Sequence, residues 1–255
     1  MSRSRARDRS RPSGGASAPT LLSTLLGATS WRALWLAQPD LIVTGTGVAQ
    51  WTDASGNGLH AVQAAGASQP AYTAITSGYG YVAGNGSQGL IAPSASLACL
   101  HDGTGATLVA VIERSGTVGN YICGSQTSSG INRGLAVSNQ AAGVRVSVGN
   151  GSAEIIALNP TVSAGAWHDV IVSYASGTDP DASLYRTSMI TADATANETG
   201  APNASASPVG WGICWGGNST FGTTTRIRAL GVIASEINQA TREQIAAAFT
   251  AYWGV

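Results

Sequence analysis

Hydrolysis of a glycosidic bond with retention needs two carboxyl groups about 5 Å apart, one acting as nucleophile and one as acid/base. Two residues on the same face of a strand provide that separation. Of the acidic residues, only Asp179 and Asp181 stand two apart, and the Pro180 between them marks a loop, because proline cannot donate to a sheet ladder. Glu113, Glu154 and Asp169 each stand alone in an apolar segment. The spacing therefore predicts a protein that is not an enzyme. Asp179 and Asp181, with Asp193, carry the acidic oxygens that a calcium loop uses. A solvated acidic turn is the other reading of the same residues, and no cofactor is expected.

The remaining reactive types are equally dispersed. Gly84-Asn-Gly86-Ser-Gln-Gly89 spells a dinucleotide-type GxGxxG, but that chemistry needs a helix to start there and face a pyrophosphate. Leu90-Ile-Ala-Pro93 follows instead, which predicts a glycine-rich hairpin. His60, His101 and His168 lack metal-ligand spacing, and Cys99, Cys123 and Cys214 lie far apart. The cysteines read as buried free thiols. Aromatic faces can stack on sugar rings, with polar neighbours orienting the hydroxyls. Trp211, Ile213 and Trp215 share one strand face by period two, and if Ile213 belongs to the core, so do both tryptophans. The alternative makes Trp211, Trp215 and Asn218, at a strand end and in the polar loop after it, the candidate ligand-binding residues.

These residues must be positioned by strands. The chain has 255 residues, 44% hydrophobic and 10% charged, with 33 glycines. This composition excludes long charged helices and a chain disordered throughout. No run of eighteen apolar residues occurs, so no membrane-spanning helix is expected. Residues 106–113 form a continuous apolar run, the pattern of a strand covered on both faces. In 143–149, Val144, Val146 and Val148 alternate with Arg145 and Ser147, which predicts valines inward and the other two outward. Residues 167–174, 209–215 and 226–233 complete the predicted strands, and 191–208 reads as a long polar loop. Helix signals are concentrated near the end: Asn238 as cap, Ile245, Phe249 and Tyr252 on one face, and Gly254 as stop. The expected fold class is all-β, an antiparallel β-sandwich with a short C-terminal helix and an extended N-terminal arm.

Charge divides the chain. All thirteen basic residues are arginine, and Arg3, Arg5, Arg7, Arg9 and Arg11 stand beside the single acid Asp8, so the first eleven residues carry +5 − 1 = +4 and the remainder 8 − 12 = −4. Residues 1–30 read as a basic Arg/Ser/Pro/Gly arm, either solvated or docked on a partner protein or nucleic acid, and 31–255 as the folded domain. No export signal is read in the arm.

Trp51-Thr-Asp-Ala-Ser-Gly-Asn-Gly-Leu-His-Ala61 followed by Gln69-Pro70, and Ile237-Asn-Gln-Ala-Thr-Arg242 with Ile245 and Tyr252-Trp-Gly254, resemble the opening motif and closing helix of the concanavalin A-like, laminin-G-like jelly-roll family. The closing helix is that of its bacterial and bacteriophage branch. Residues 81–90 occupy the place of a family hairpin, and Trp167-His168-Asp-Val170 resembles its central strand. In the opening motif, Asp53 is suited to bond its own turn's N–H groups and Trp51 to anchor the preceding strand. Where the family hairpin carries an aspartate, this chain has Gly84 or Asn85, and the aromatic that the resemblance leads one to expect near Val82 is replaced. A calcium or ligand site that depends on that aspartate does not carry over.

The resemblance implies a non-enzymatic bacteriophage virion structural protein (head decoration, fibre or tail-associated adhesin), assembled in the host cytoplasm and homo-oligomeric. The arm would dock on other virion proteins, and host-surface glycans are the implied ligand class. A bacterial carbohydrate-binding lectin module is the alternative, and a glycoside hydrolase the further one.

Overall fold

The computed structural model describes residues 20–75, 79–93, 95–114, 121–125, 133–186, 188–203, 210–214 and 225–255. The chain runs from helix α1 (Leu21–Ala28) through β1 (Ala33–Leu36), β2 (Ile42–Thr44), β3 (Val48–Trp51), β4 (Ala61–Val62), β5 (Ala71–Ala74), β6 (Gly80–Ala83), β7 (Leu90–Ala92) and β8 (Ala106–Glu113). It continues through β9 (Tyr121–Ser125), β10 (Arg133–Asn139), β11 (Val144–Asn150), β12 (Glu154–Leu158), β13 (Trp167–Tyr174), β14 (Ala182–Tyr185), β15 (Ala194–Ala196), β16 (Trp211–Ile213) and β17 (Arg226–Ile233) to helix α2 (Gln239–Trp253).

The strands form two antiparallel sheets. The first has the order β15-β14-β13-β8-β17-β6-β5, with β1 beside the later part of β17, and the second the order β12-β11-β10-β9-β16-β7-β4-β3-β2. Their inner faces meet in a core that includes Trp35, Trp51, Val146, Trp211, Ile213 and Leu230. Both helices lie on the outer face of the first sheet, where Leu21, Leu25, Ile245 and Phe249 pack on Val109, Val111, Ile171 and Ala229. The uninterrupted apolar run of β8 follows from this arrangement: Leu108, Ala110 and Ile112 face the sandwich, while Val109 and Val111 face the helices.

Helix α2 begins and ends as its sequence predicts. The Asn238 side chain accepts a hydrogen bond from the Thr241 N–H at 2.9 Å, and Gly254 stops the helix in the left-handed conformation, φ 68°. Helix α1 is a correction, because residues 20–30 are not part of an extended arm. Thr20 caps the helix through its Oγ1, Leu21 and Leu25 are fully buried, and the Trp31 indole donates to the Leu25 carbonyl at 2.8 Å. Eight residues are too few to form a stable helix alone. Packing on α2 and the sheet supplies what the local sequence does not signal.

Three further expectations change. Strands β6 and β7 lie in different sheets, so 84–89 is a crossing between layers rather than a hairpin. Glycine is needed there, since a Cβ on Gly84 would stand 2.8 Å from the Gln88 carbonyl oxygen and 3.1 Å from the Cys214 Cβ. The described part of 191–208 is a strap rather than a loop. It pairs as β15 with β14, and Glu198 then accepts bonds from the Tyr174 hydroxyl at 2.6 Å and Ser176 Oγ at 2.7 Å. Beyond it, the Thr199 N–H donates to the Ile155 carbonyl at 3.0 Å and Asn203 Nδ2 to that of Asn150 at 2.8 Å. The strap thus ties the edge of one sheet to the edge of the other. Burial and the Glu198 carboxylate push the Tyr174 phenol well above its usual range. Finally, Ser147 is buried, flanked by Ala136 and Ala157 on the neighbouring strands, although Val144, Val146 and Val148 face inward as predicted.

The opening motif is a clip. Asp53 Oδ1 accepts from the N–H groups of Leu34 and Ser55, both at 2.9 Å, and Oδ2 from Ser55 Oγ at 2.9 Å and the Leu59 N–H at 3.0 Å. Asn57 Nδ2 donates to the carbonyls of Trp31 and Arg32, and the Trp51 indole to that of Leu36 at 2.8 Å. One turn therefore satisfies polar groups along β1 as well as its own. The three thiols are free, with Cys123 and Cys214 buried and Cys99 half-buried. Burial pushes Cys99 up to about 11 and Cys214 up to about 12, which keeps both as unreactive thiols near neutrality.

Candidate functional site

Trp211 is not available to a ligand. It is 1% exposed, and its ring stacks on Trp35 with centroids 5.8 Å apart and planes at 17°. Period two decides its place: Ile213, on the same strand face, is core as well. Trp215 and Asn218 lie outside the described residues, as do Arg3, Arg5, Arg7, Arg9 and Arg11. Asp181 is buried, and its carboxylate accepts from the Glu198 N–H at 2.8 Å, which makes it an anchor of the strap. Asp179 lines a small polar pocket with Ser173, Ser183, Tyr185, Glu236 and Arg242. Among the described residues, no three His, Cys, Asp or Glu side chains gather to hold a metal.

Asp169 stands alone on its strand, but the fold brings Asp193 within its electrostatic reach. Burial raises the Asp169 carboxyl above its usual value, and the Arg186 charge opposes that shift. Asp193 is tied down: its Oδ2 accepts from the Arg186 N–H at 2.7 Å, and its Oδ1 lies 3.9 Å from the Arg186 guanidinium. His168 bonds to Ser163 Oγ at 3.0 Å, and burial, followed by the charges of Arg186 and Arg114, lowers its pKa.

A group that the sequence reading missed lies on the outer face of the first sheet, beside the end of α2. Strand β17 departs from regular register against β8 between Ile227 and Ala229. Ile227 and Leu230 face the sandwich core and Ala229 the helices, so Arg228 is the extra residue of a β-bulge. Bulges re-aim side chains. Here Arg226 sits opposite Glu113, and Nη1 of Arg226 bonds both Glu113 carboxylate oxygens, at 3.0 and 3.1 Å. Its guanidinium lies 5.0 Å from the centre of the Tyr81 ring.

The Arg228 guanidinium lies 3.9 Å from the centre of the Trp167 ring and 6.0 Å from that of Trp253. Tyr81 and Trp167 approach to 6.1 Å across the intervening strands. Tyr79 and Phe249 hold Trp253 by edge and face contacts at 5.7 and 5.6 Å. Arg228 Nε is buried with no hydrogen-bond acceptor among the described residues, and burial lowers the guanidinium pKa, opposed by Glu113. The patch thus combines aromatic rings, one neutralised arginine and one arginine whose donors are unused among the described residues. Such a surface can bind a polar ring against the aromatics and bond an acceptor on it. The signal in the sequence was Arg226-Ile-Arg228 on a strand otherwise apolar.

No family model matches the chain, and no curated relative does. Solved structures do match in fold. Trypanosoma rangeli sialidase in complex with 2,3-difluorosialic acid superimposes with a TM-score of 0.54 at 14% identity, over 96% of this chain and 35% of that one. The binding domain of botulinum neurotoxin DC in complex with SialylT superimposes with a TM-score of 0.57 at 10% identity, over 87% and 52%. A structure of botulinum neurotoxin type C, described as dependent on two ganglioside molecules for cell entry, superimposes with a TM-score of 0.56 at 10% identity, over the same shares. The chain spans about a third of the length of the sialidase. At these identities the likeness is one of fold alone, a two-sheet antiparallel β-sandwich.

Proposed function

We propose that this chain is a non-enzymatic, carbohydrate-binding module, displayed on a bacteriophage particle and held there by residues 1–19. The observation that carries the carbohydrate reading is the patch of Tyr81, Trp167, Arg226 and Arg228 on a lectin-like sandwich. Structures of the same fold in complex with 2,3-difluorosialic acid and with SialylT add support. Against hydrolysis, Asp179 and Asp181 flank a proline in a turn, Asp181 is consumed by the strap, and Asp193 is held by Arg186. The particle reading rests on the family resemblance and on the basic arm, whose charge suits an acidic docking surface.

A glycan array probed with the full chain tests the first part. Specific binding without release of free sugar is the expected result, and hydrolysis abolished by replacing one carboxylate would overturn the non-enzymatic assignment. For the second part, deleting residues 1–19 keeps every described core residue and leaves the melting temperature unchanged, but prevents incorporation into particles. Normal incorporation of the shortened chain would refute the arm's role.

A further inference from the structure

Resting on the carbohydrate reading above, we infer that the Arg228 site selects sugars that carry a carboxylate. The two arginines of the patch differ in what they lack. Arg226 has its counter-ion, since Glu113 accepts from it through both oxygens. Arg228 has none among the described residues, although its Nε is buried. A polar group withdrawn from water without a partner is costly, and the Trp167 ring beneath it returns only part of that through the cation–π contact. With Glu113 and Arg226 cancelling, the patch keeps one net positive charge, centred on Arg228.

The missing partner has a definite shape. A guanidinium offers parallel N–H donors that match the two oxygens of a carboxylate, a stronger pairing than either group makes with a neutral hydroxyl. Trp167 and Tyr81, 6.1 Å apart, flank that position with half-buried aromatic surface, against which the C–H groups of a sugar ring pack. A neutral sugar gains the aromatic contact alone. An acidic sugar gains both, and it gives the half-buried Arg228 an ion pair that it lacks among the described residues. Alternation sets Arg226 and Arg228 on one side of the sheet, and the bulge after Arg228 turns Ala229 to that same side and Leu230 to the core.

The test compares matched probes on the full chain by calorimetry or by chemical-shift titration: 3′-sialyllactose with lactose, and trigalacturonate with its methyl ester. In at least one pair the acid binds about tenfold or more tightly than its neutral counterpart, the scale of one charge-assisted bidentate contact. Arg228→Gln removes that preference, bringing the affinity for the acid down to that for its neutral counterpart. Arg228→Lys, which keeps the charge but not the fork, retains only part of it.

Equal binding of acid and neutral probe, or a preference that survives Arg228→Gln in a folded variant, overturns the inference while the carbohydrate reading stands. Failure of every sugar, acidic or neutral, removes both. Binding of an oligoglutamate peptide in place of any sugar reassigns the site to a protein partner and also overturns the inference. Should Arg228→Gln fail to fold, the acid and ester comparison on the unaltered chain decides alone.

Discussion

Trp211→Ala lowers the free energy of unfolding by about 3–5 kcal/mol and the melting temperature by roughly 10 °C. The ring is fully enclosed between the sheets and stacked on Trp35, so truncation leaves a cavity bounded by groups that neighbouring strands hold in place. Trp211→Phe costs markedly less, for a reason beyond size. The Trp211 indole N–H is buried without an acceptor among the described residues, and phenylalanine removes that donor along with part of the ring. Denaturant titration of the two variants measures the difference. A Trp211→Ala protein of unchanged stability that had lost ligand binding would place this residue at a surface site instead of the core.

Asp53→Ala has the second large effect, a loss of about 3 kcal/mol or more, since hydrogen bonds to a charged group contribute roughly 1.5–3 kcal/mol each and buried donors left unpaired add their own penalty. Three backbone N–H groups, those of Leu34, Ser55 and Leu59, lose their acceptor together. Asp53→Asn keeps one acceptor oxygen and falls between the two. Hydrogen exchange separates this from a diffuse destabilisation: in the alanine variant the amides of Leu34 and Leu59 lose protection first. Uniform loss across both sheets would show that the carboxylate is not a local clip.

The contrast between these two residues indicates which parts of the design a sequence displays. Strand β13 and strand β17 occupy the segments that alternation and apolar runs predict, because a half-buried ladder imposes its period directly on the chain. The caps of α2 are equally visible, since a cap is a local bond between neighbours. Asp53 was legible as a turn residue, but its bond to Leu34 spans 19 positions and leaves no local trace. Helix α1 has the same difficulty, as its stability comes from α2.

The bulge at Arg228 is harder still. Strict alternation from Arg226 would put Arg228 and Leu230 on one face, whereas one inserted residue sends Leu230 to the core and keeps Arg228 outside. Nothing in the run Arg226-Ile-Arg-Ala-Leu marks where the register changes. That Arg226 and Arg228 share a face follows from alternation alone, but the approach of Tyr81 and Trp167 to them depends on strand order and leaves no local trace. Trp167 was read as part of a family-like strand, and its partner Tyr81 as part of a hairpin that proves to cross between sheets.

The placement of β1 against β17 has a kinetic consequence. Ala33 sits opposite Val232 and Leu36 opposite Ala229, so among the described residues the first strand has its one ladder partner in the last. The same β17 also fills the gap between β8 and β6. During synthesis on the ribosome, β5 and β6 emerge long before the strand that joins them to β8, and the first sheet stays in three parts, β1, β5 with β6, and β8 with β13 to β15, until residue 233 has left the exit tunnel. Closing such a long loop delays the transition state. Unjoined apolar edges on a nascent chain are also the surfaces on which misassembly begins, so the time spent waiting for β17 sets the exposure of this protein to aggregation and to chaperones.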